Sequence, residues 1–269
     1  MTADLDVLIP TRDRPDALAV TLAGLAGQSA TGFRVVVSDQ SEGGPAAAAP
    51  AVATMLRVLE QRGCAVETGR HLPPRGVAEH RAHLLSRARA PYVLALDDDI
   101  WLEPDAVATL LAAMAELRCG FVGMAMVGLS YAADVRPHEH RAYEEWAGPV
   151  RPERVRKDTP GWERWRLHNA ANPVHLAAGR GLDGGWTAYK VAWIAGCVLF
   201  DRAKLVDCGG FDFWPQIGGP AHAGEDVVAQ LRVMERYGGA GLLPSRAYHL
   251  ELPTTVTDRR IDAYEAVLG

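Results

Sequence analysis

The chain has 269 residues, of which 48% are hydrophobic and 23% are charged, a composition typical of a folded globular protein and not of a disordered one. Its formal net charge of -5 and sequence pI of about 6.0 argue against a nucleic-acid-binding protein, which needs a basic surface. No apolar run is long enough to span a membrane, and the four cysteines lack zinc-binding spacing. We therefore expect a cytoplasmic protein whose cysteines are reduced and buried.

Strands and helices alternate along the first half of the chain. Short apolar runs rich in β-branched residues predict strands at 5–9, 33–37, 65–68, 92–96 and 121–127. Apolar residues at helical spacing predict helices at 15–26, 51–62, 77–89 and 105–117. Because parallel strands need such connections, this alternation predicts an α/β fold with a doubly wound, mainly parallel sheet.

Residues 128–190 differ in character from the segments on either side of them. They contain four of the seven tryptophans, many charges and several prolines and glycines, with little periodicity. We interpret them as an insertion over the sheet within a single domain of residues 1–269. Strand character returns at 191–200, a short helix is predicted at 201–207, and an amphipathic helix is predicted at 225–237.

Three adjacent carboxylates, Asp97, Asp98 and Asp99, directly follow the predicted strand at 92–96. Adjacent carboxylates repel one another unless a cation or solvent compensates them, and Mg²⁺ and Mn²⁺ prefer such oxygen ligands. The carboxyl end of a parallel strand is also where open α/β sheets bind ligands. The alternative is a solvated acidic turn ahead of a helix that starts at 103–105.

Several motifs, taken in chain order, resemble those of the family 2 glycosyltransferases. The resemblance covers residues 5–127 and 191–250, through IPTRDRP, VVVSDQS, RGVAEHRAHLLSRARAPYVLALDDDI, WIAGCVLFDRAKLVDCGGFD, GEDVVAQLRVMERYGG and SRAYHLE. It implies the GT-A fold and a nucleotide-sugar donor, with a nucleotide-binding half at 1–127, an acceptor-side insertion at 128–190 and an acceptor and catalytic half at 191–269.

The resemblance assigns nucleotide contacts to the ends of the first two strands. Pro10, Thr11 and Arg14 match the loop that touches the nucleotide, and Asp39 matches the acid that accepts a hydrogen bond from the uracil N3–H. A carboxylate is chemically suited to that imide donor, although an Asx turn is the other interpretation of Asp39. The motif departs from the family at 38, where serine replaces the usual aspartate, and at Gln40, where glycine is usual.

Two arginines match the cationic positions near the donor. By resemblance, Arg81 approaches the diphosphate or the acidic turn, and Arg75 serves as a second cation. Either side chain is equally compatible with an exposed charge.

The acidic cluster matches the DxD motif of the family. The resemblance implies that Asp97 contacts the ribose or donor sugar, that Asp98 reaches the ribose, and that Asp99 binds a Mn²⁺ or Mg²⁺ ion bridging the diphosphate. His249 falls where some members place a further metal ligand or a diphosphate contact, although a lone histidine is often structural.

Two adjacent acids, Glu225 and Asp226, follow a glycine- and proline-rich loop and begin the predicted helix at 225–237. A helix N-terminus favours carboxylates, so these residues are also explained as a capping pair. The resemblance makes Asp226 the general base, in preference to Glu225, for a single displacement that inverts the anomeric centre.

Three tryptophans, Trp186, Trp193 and Trp214, are candidates for an acceptor-binding wall. For the tryptophans of the insertion, the alternative is that they pack the insertion on the core. The triplet 138–140 (HEH) also suggests zinc, but no third ligand follows at a suitable spacing.

We therefore expect a metal-assisted, inverting hexosyl- or N-acetylhexosaminyl-transferase. The expected donor is a UDP-sugar and the expected acceptor is a small or carrier-borne molecule of specialised metabolism. The alternatives are a lipid-linked or polysaccharide acceptor, a sugar nucleotidyltransferase, and a sugar-nucleotide sensor without activity. A nucleotidyltransferase would normally carry a glycine-rich basic loop after its first strand, and PTRDRP has no glycine.

Overall fold

The computed structural model describes residues 4–182 and 185–269. The first half of the chain forms four parallel strands joined by helices. The strands lie side by side in the order β3-β2-β1-β4. Their bounds are β1 (Leu5–Thr11), β2 (Arg34–Asp39), β3 (Ala65–Arg70) and β4 (Tyr92–Leu96). The connecting helices are α1 (Pro15–Ala26), α2 (Pro50–Gln61) and α3 (Val77–Arg87).

The second half extends the same sheet to eight strands within the described residues, continuing as β8-β6-β10-β7 from β4. The strand β8 is antiparallel to both of its neighbours, β6 and β10 are parallel, and β7 closes the edge antiparallel to β10. These strands are β6 (Phe121–Gly123), β7 (Thr187–Tyr189), β8 (Cys197–Asp201) and β10 (Gly239–Leu243). Four of the seven pairings are parallel, which confirms the predicted mainly parallel α/β sheet.

Two small sheets and the remaining helices complete the described structure. The strand β5 (Ile100–Leu102) pairs with β11 (Ala247–His249), and β9 (His222–Ala223) pairs with β12 (Ile261–Asp262). The helices are α4 (Ala106–Leu117), α5 (Asn172–Ala178), α6 (Arg202–Asp207), α7 (Glu225–Tyr237) and α8 (Ala263–Val267). None of the described helices is long and apolar enough to cross a membrane.

Buried apolar side chains cover both faces of the sheet. Leu94 and Leu96 of β4 pack on one face with residues of α1 and α4, whereas Val93 packs on the other face with residues of α3 and α7. This alternation follows from the two-residue period of a strand. Both faces are therefore filled, and polar side chains collect at the ends of the strands.

The segment 128–190 contributes a strand to the same sheet, because β7 lies within it and pairs with β10. Its tryptophans are half-buried against the core. The rings of Trp162 and Trp193 lie 4.9 Å apart, and Trp162 also packs edge-on against Tyr264. These contacts correspond to the packing interpretation of the tryptophans rather than to an exposed wall.

Two predicted strands are shorter in the structure, and one strand was missed. The strand predicted at 191–200 begins only at Cys197, because Gln230 hydrogen-bonds both backbone groups of Ile194 and because Gly196 adopts a φ of +81°. The strand predicted at 121–127 ends at Gly123. The strand β5 was not predicted, since three residues are too few to show periodicity.

Candidate active site

Two of the three acids after β4, Asp98 and Asp99, form a buried cluster with Thr11 at the end of β1 and with Arg14, which directly precedes α1. Thr11 Oγ1 donates to Asp98 Oδ2 at 2.6 Å, and Arg14 bridges Asp98 and Asp99, with 2.7 Å between its Nη1 and Asp99 Oδ2. Asp98 is 2% exposed and Asp99 is 5% exposed. Because β1 and β4 are adjacent and parallel, their carboxyl ends bring residues 84 to 87 positions apart into contact.

The acids of this cluster have different pKa values. Burial raises the pKa of Asp98 to about 6, although Arg14 and the hydrogen bond from Thr11 oppose the shift. Burial also acts on Asp99, but hydrogen bonds from His249 and Arg14 together with their charges bring its pKa below the usual value. Asp99 is therefore the more strongly ionised of the two carboxylates.

The strand β11 brings His249 to the acidic cluster. In its antiparallel pairing with β5, His249 lies opposite Ile100, and the N–H of Leu250 donates to the Asp99 carbonyl at 2.9 Å. His249 Nε2 lies 3.3 Å from Asp99 Oδ2. His249 Nδ1 accepts the N–H of Glu251 at 3.2 Å, so the neutral ring carries its proton on Nε2. The hydrogen bond to Asp99 raises the pKa of His249.

A largely buried arginine, with 11% of its side chain exposed, connects the acidic cluster to helix α7. Arg81 of α3 donates from Nε to Glu225 Oε1 at 2.8 Å and from Nη2 to Asp97 Oδ1 at 2.6 Å. Gly224 precedes α7 with a φ of +87°, a conformation that glycine adopts without strain, and thereby orients the first turn. The structure therefore joins Arg81, Asp97 and Glu225 in one charged network.

Asp226 follows Glu225 but forms no ion pair with any residue in the described ranges. It lines a cavity of about 10 Å³, close to the space that one water molecule needs, together with Arg81, Asp97 and Gln230. Burial raises the pKa of Asp226 to about 7, with a further contribution from the charge of Glu225, and Arg81 opposes the shift. A carboxylate with this pKa is suited to accept a proton near neutral pH.

Asp39 lies at the end of β2 and closes a turn. Its Oδ1 accepts the N–H of Ser41 at 2.7 Å and its Oδ2 accepts the N–H of Ala46 at 2.6 Å, so the Asx-turn interpretation describes its backbone contacts. Each carboxylate oxygen has two lone pairs, and both oxygens therefore keep acceptor capacity. Nearby, Pro10 is half-buried, and Arg75 is exposed in the loop before α3.

The three tryptophans predicted to bind an acceptor lie on both faces of the sheet. Trp186 packs against the core that contains α1 and α4, whereas Trp193 and Trp214 pack against the core on the opposite face of the sheet. All three are half-buried. The structure therefore does not gather them into one wall.

The zinc interpretation of residues 138–140 is not supported by the geometry. His138 is exposed, while the buried Glu139 accepts hydrogen bonds from Asn169 and Asn172. His140 Nε2 lies 3.0 Å from the Asn172 side-chain oxygen. Across residues 4–182 and 185–269 there is no cluster of three or more metal-ligating side chains.

Two residues that support the site were not predicted from the sequence. Gln230 anchors the backbone of Ile194 and lines the cavity at Asp226. His222 Nε2 accepts the N–H of Ala78 at 3.1 Å and so caps the first turn of α3, the helix that carries Arg81. Gln230 lies within the motif GEDVVAQLRVMERYGG but was assigned no role, His222 lies outside the motifs, and both residues act across more than 30 positions of the chain.

Sequence comparisons identify a family and one curated relative. Residues 6–171 match the model of "Glycosyl transferase family 2". The tRNA 5-methylaminomethyl-2-thiouridine biosynthesis bifunctional protein MnmC of Caulobacter vibrioides is 30% identical over 240 residues, which cover 80% of this chain and 38% of that protein. The chain thus spans well under half the length of this relative.

Solved structures with a similar fold include two complexes with nucleotide sugars. S. aureus TarS in complex with UDP-GlcNAc superposes with a TM-score of 0.56 at 15% identity, covering 93% of this chain and 59% of that one. The mannosyltransferase PcManGT from Pyrobaculum calidifontis, in complex with GDP-Man and Mn²⁺, superposes with a TM-score of 0.55 at 15% identity, covering 95% and 59%. At this identity the similarity shows the fold.

Proposed function

The chain belongs to glycosyl transferase family 2 and has the GT-A fold, and from this premise we propose that it transfers a sugar from a nucleotide-sugar donor to a hydroxyl or amine, with inversion at the anomeric carbon. This proposal is based mainly on the position of Asp226. This acid has no ion pair within the described residues, has a raised pKa and lies beside Asp97 of the acidic cluster. It is therefore available as a general base next to the proposed donor site.

The donor site in this proposal lies at the carboxyl ends of β1, β2 and β4. Asp39 would accept the imide N–H of uracil with its remaining lone pairs, which favours a UDP-sugar. Thr11 and Arg14 hold Asp98 in place, and Asp98 would contact the ribose. Arg14 is a fixed cation near the predicted diphosphate position, where a planar guanidinium binds phosphate well.

Asp99 and His249 together fit a divalent metal ion, and we propose that this ion is Mn²⁺ or Mg²⁺. Two ligands at right angles around a Mg²⁺ ion, each about 2.1 Å from it, lie about 3.0 Å apart. The distance of 3.3 Å between Asp99 Oδ2 and His249 Nε2 is close to this value. Such an ion would neutralise negative charge on the departing diphosphate.

Asp99 is the stronger of these two candidate ligands. His249 holds its proton on Nε2, because Nδ1 accepts the N–H of Glu251. A metal ion at Nε2 would require the proton to move to Nδ1 and would break the bond with Glu251. We therefore propose Asp99 as the main ligand and His249 as an auxiliary ligand or a hydrogen-bond donor to the diphosphate.

The proposed chemistry is a single displacement. The acceptor oxygen or nitrogen forms a bond to the anomeric carbon on the face opposite the nucleotide, and the bond between that carbon and the diphosphate oxygen breaks with its electron pair. Asp226 takes the proton that the acceptor atom loses. One base and one displacement give inversion at the anomeric centre.

Asp226 is preferred to Glu225 as the base because the two acids have different partners. Glu225 is 5% exposed and accepts a hydrogen bond from Arg81, which holds it as a paired carboxylate. Asp226 has no such partner within the described part of the chain, and its raised pKa gives it a stronger affinity for a proton.

We propose a small or carrier-borne acceptor, as in specialised metabolism, and a cytoplasmic location. Since the three tryptophans do not form one wall, Trp193 and Trp214 are the better candidates for acceptor contacts because they pack on the sheet face that also carries α7. Binding to lipid vesicles that rises and falls with activity would favour a lipid-linked acceptor instead.

The experiment that tests the proposal measures the nucleotide products formed from UDP-sugars in the presence of Mn²⁺. We expect release of UDP, slow with water as acceptor, and its loss in Asp226→Asn. Asp212→Asn is the matched control, because Asp212 is exposed outside the site. Release of pyrophosphate from UTP and a sugar phosphate would identify a nucleotidyltransferase, and tight binding without turnover would identify a sensor.

A further inference from the structure

A buried glutamine follows Asp39 at the carboxyl end of β2. Gln40 is 4% exposed, and its backbone N–H donates to the Thr11 carbonyl at 2.9 Å. The carbonyl of Asp39 accepts the N–H of His71 at 2.9 Å. The dipeptide 39–40 is therefore fixed from both sides, by the end of β1 and by the residue that follows β3.

The side chain of Gln40 carries a buried donor that the protein does not satisfy. Its Nε2 has no hydrogen-bond partner within residues 4–182 and 185–269. Buried polar groups are nearly always hydrogen-bonded, and leaving one unpaired destabilises the folded state. A ligand acceptor at this position would supply the missing partner.

The neighbouring Asp39 provides the complementary group. Both of its carboxylate oxygens accept one backbone N–H and keep further lone pairs, so two consecutive residues at the end of β2 carry an acceptor and a donor. A lactam edge, in which an N–H lies beside a C=O, matches this pattern. Uracil and guanine carry such an edge, whereas cytosine presents a ring acceptor beside an amine and adenine does the same.

We infer that Gln40 is a specificity-determining residue that donates from Nε2 to the base carbonyl beside the N–H bound by Asp39. The inference rests on the proposed function, because it requires a nucleoside diphosphate at the end of β2. Under this inference, two consecutive buried residues, the acidic Asp39 and the neutral Gln40, together select a lactam base. The enzyme therefore discriminates against cytosine and adenine nucleotides.

The test is calorimetric titration of UDP, GDP, CDP and ADP into the wild-type protein and into Gln40→Leu, which preserves volume and removes the amide. The wild type is expected to bind UDP or GDP at least tenfold more tightly than CDP or ADP. In Gln40→Leu the preferred nucleotide binds about tenfold more weakly, a change of about 1.4 kcal/mol, while the affinity for CDP stays within twofold. The UDP and GDP arms distinguish the two possible lactam bases.

Thermal unfolding without nucleotide separates recognition from a structural role. Since Gln40→Leu removes an unpaired buried donor, its melting temperature is expected to equal or exceed that of the wild type. The matched control is Gln61→Leu, at the exposed end of α2, which is expected to leave every affinity unchanged. Gln40→Glu is expected to bind UDP less tightly than Gln40→Leu, because a second carboxylate repels the base carbonyl.

The outcomes that overturn the inference differ from those that overturn the proposed function. If the wild type binds UDP or GDP and Gln40→Leu binds it equally tightly, only the role of Gln40 fails. The same holds if Gln40→Leu melts earlier and weakens all four nucleotides alike, or if the wild type prefers CDP. If the wild type binds none of the four, the proposed function itself fails.

Discussion

Arg81 and Glu225 are 144 residues apart in the chain, and a hydrogen bond of 2.8 Å joins Nε of the arginine to Oε1 of the glutamate. The same guanidinium donates to Asp97 at the end of β4. The bridge therefore connects the helix before the acidic cluster with the first turn of α7. It also gives Glu225 a partner and leaves Asp226, the next residue, as the acid available for proton transfer.

Replacement of this arginine is expected to affect both stability and turnover. Arg81→Gln leaves Glu225 and Asp97 without their cation, and removal of one partner from a buried pair costs about 3–5 kcal/mol. The free energy of unfolding from urea titration measures the effect. Arg87→Gln in the same helix, whose arginine forms an exposed pair with Glu67, is expected to cost less than about 1 kcal/mol. Equal losses in the two variants would contradict a special role for Arg81.

The two adjacent acids of α7 are expected to differ in their kinetic effects. Asp226→Asn removes the proposed base and is expected to lower kcat by about 10²- to 10⁴-fold, with nucleotide affinity unchanged. Glu225→Gln weakens the contact with Arg81 and is expected to lower the melting temperature more than Asp226→Asn does. Steady-state kinetics and thermal unfolding of both variants measure this contrast. A larger loss of kcat in Glu225→Gln would make Glu225 the base.

The raised pKa of Asp226 predicts a pH dependence of the rate. The base must be ionised, so kcat/KM is expected to rise tenfold per pH unit below about pH 7 and to level off above it. A pH–rate profile measured with the acceptor well below its KM tests this dependence. A rate that is flat between pH 5 and pH 8 would exclude Asp226 as a base with this pKa.

The same group also predicts a pH dependence of stability. Its folded-state pKa of about 7 lies above the ordinary value of 3.8, so between these pH values the folded state keeps a proton that the unfolded state has lost. Stability from this group is therefore lost as the pH rises through that window. We expect Asp226→Asn to melt higher than the wild type at pH 8 and close to it at pH 4. The exposed control Asp212→Asn should show no such trend.

Arg14 is expected to act as the counter-cation of the acidic cluster when no metal ion is bound. Without it, the buried Asp98 and Asp99 lack their paired charge, so Arg14→Gln should melt below the wild type. Mn²⁺ can compensate the unpaired negative charge, and the rise in melting temperature on adding Mn²⁺ should therefore be larger in this variant. Arg12→Gln, which removes an exposed pair with Glu42, is the control. An equal response to Mn²⁺ in Arg14→Gln and the wild type would contradict this role.

The sequence predicted the parts of the fold that have clear local signals. The strand at 92–96 matched β4 in full, because a run of apolar residues ends sharply at Asp97. The strand at 191–200 was predicted too long, since the side chain that stops it, Gln230, lies on a distant helix. Element boundaries set by distant side chains have no local sequence pattern.

The same limit applies to the site. The motifs identified the acids and arginines, and the structure brings Thr11, Arg14, Asp98, Asp99 and His249 together. The partner of each charge was not predictable, because ion pairs across 84 or more residues depend on which strand ends are adjacent. The acceptor contacts were expected from tryptophan content, and the structure places Trp186 on one face of the sheet and Trp193 and Trp214 on the other.

A thermal-shift titration of UDP, GDP, dTDP and CDP, each with and without Mn²⁺, tests whether the site binds a nucleotide through a metal ion. A ligand that binds the folded state raises its melting temperature by mass action. We expect a Mn²⁺-dependent shift with UDP, its loss in Asp99→Ala, and its retention in Asp226→Asn. The absence of a shift with all four nucleotides, or a shift that survives Asp99→Ala unchanged, would contradict this expectation.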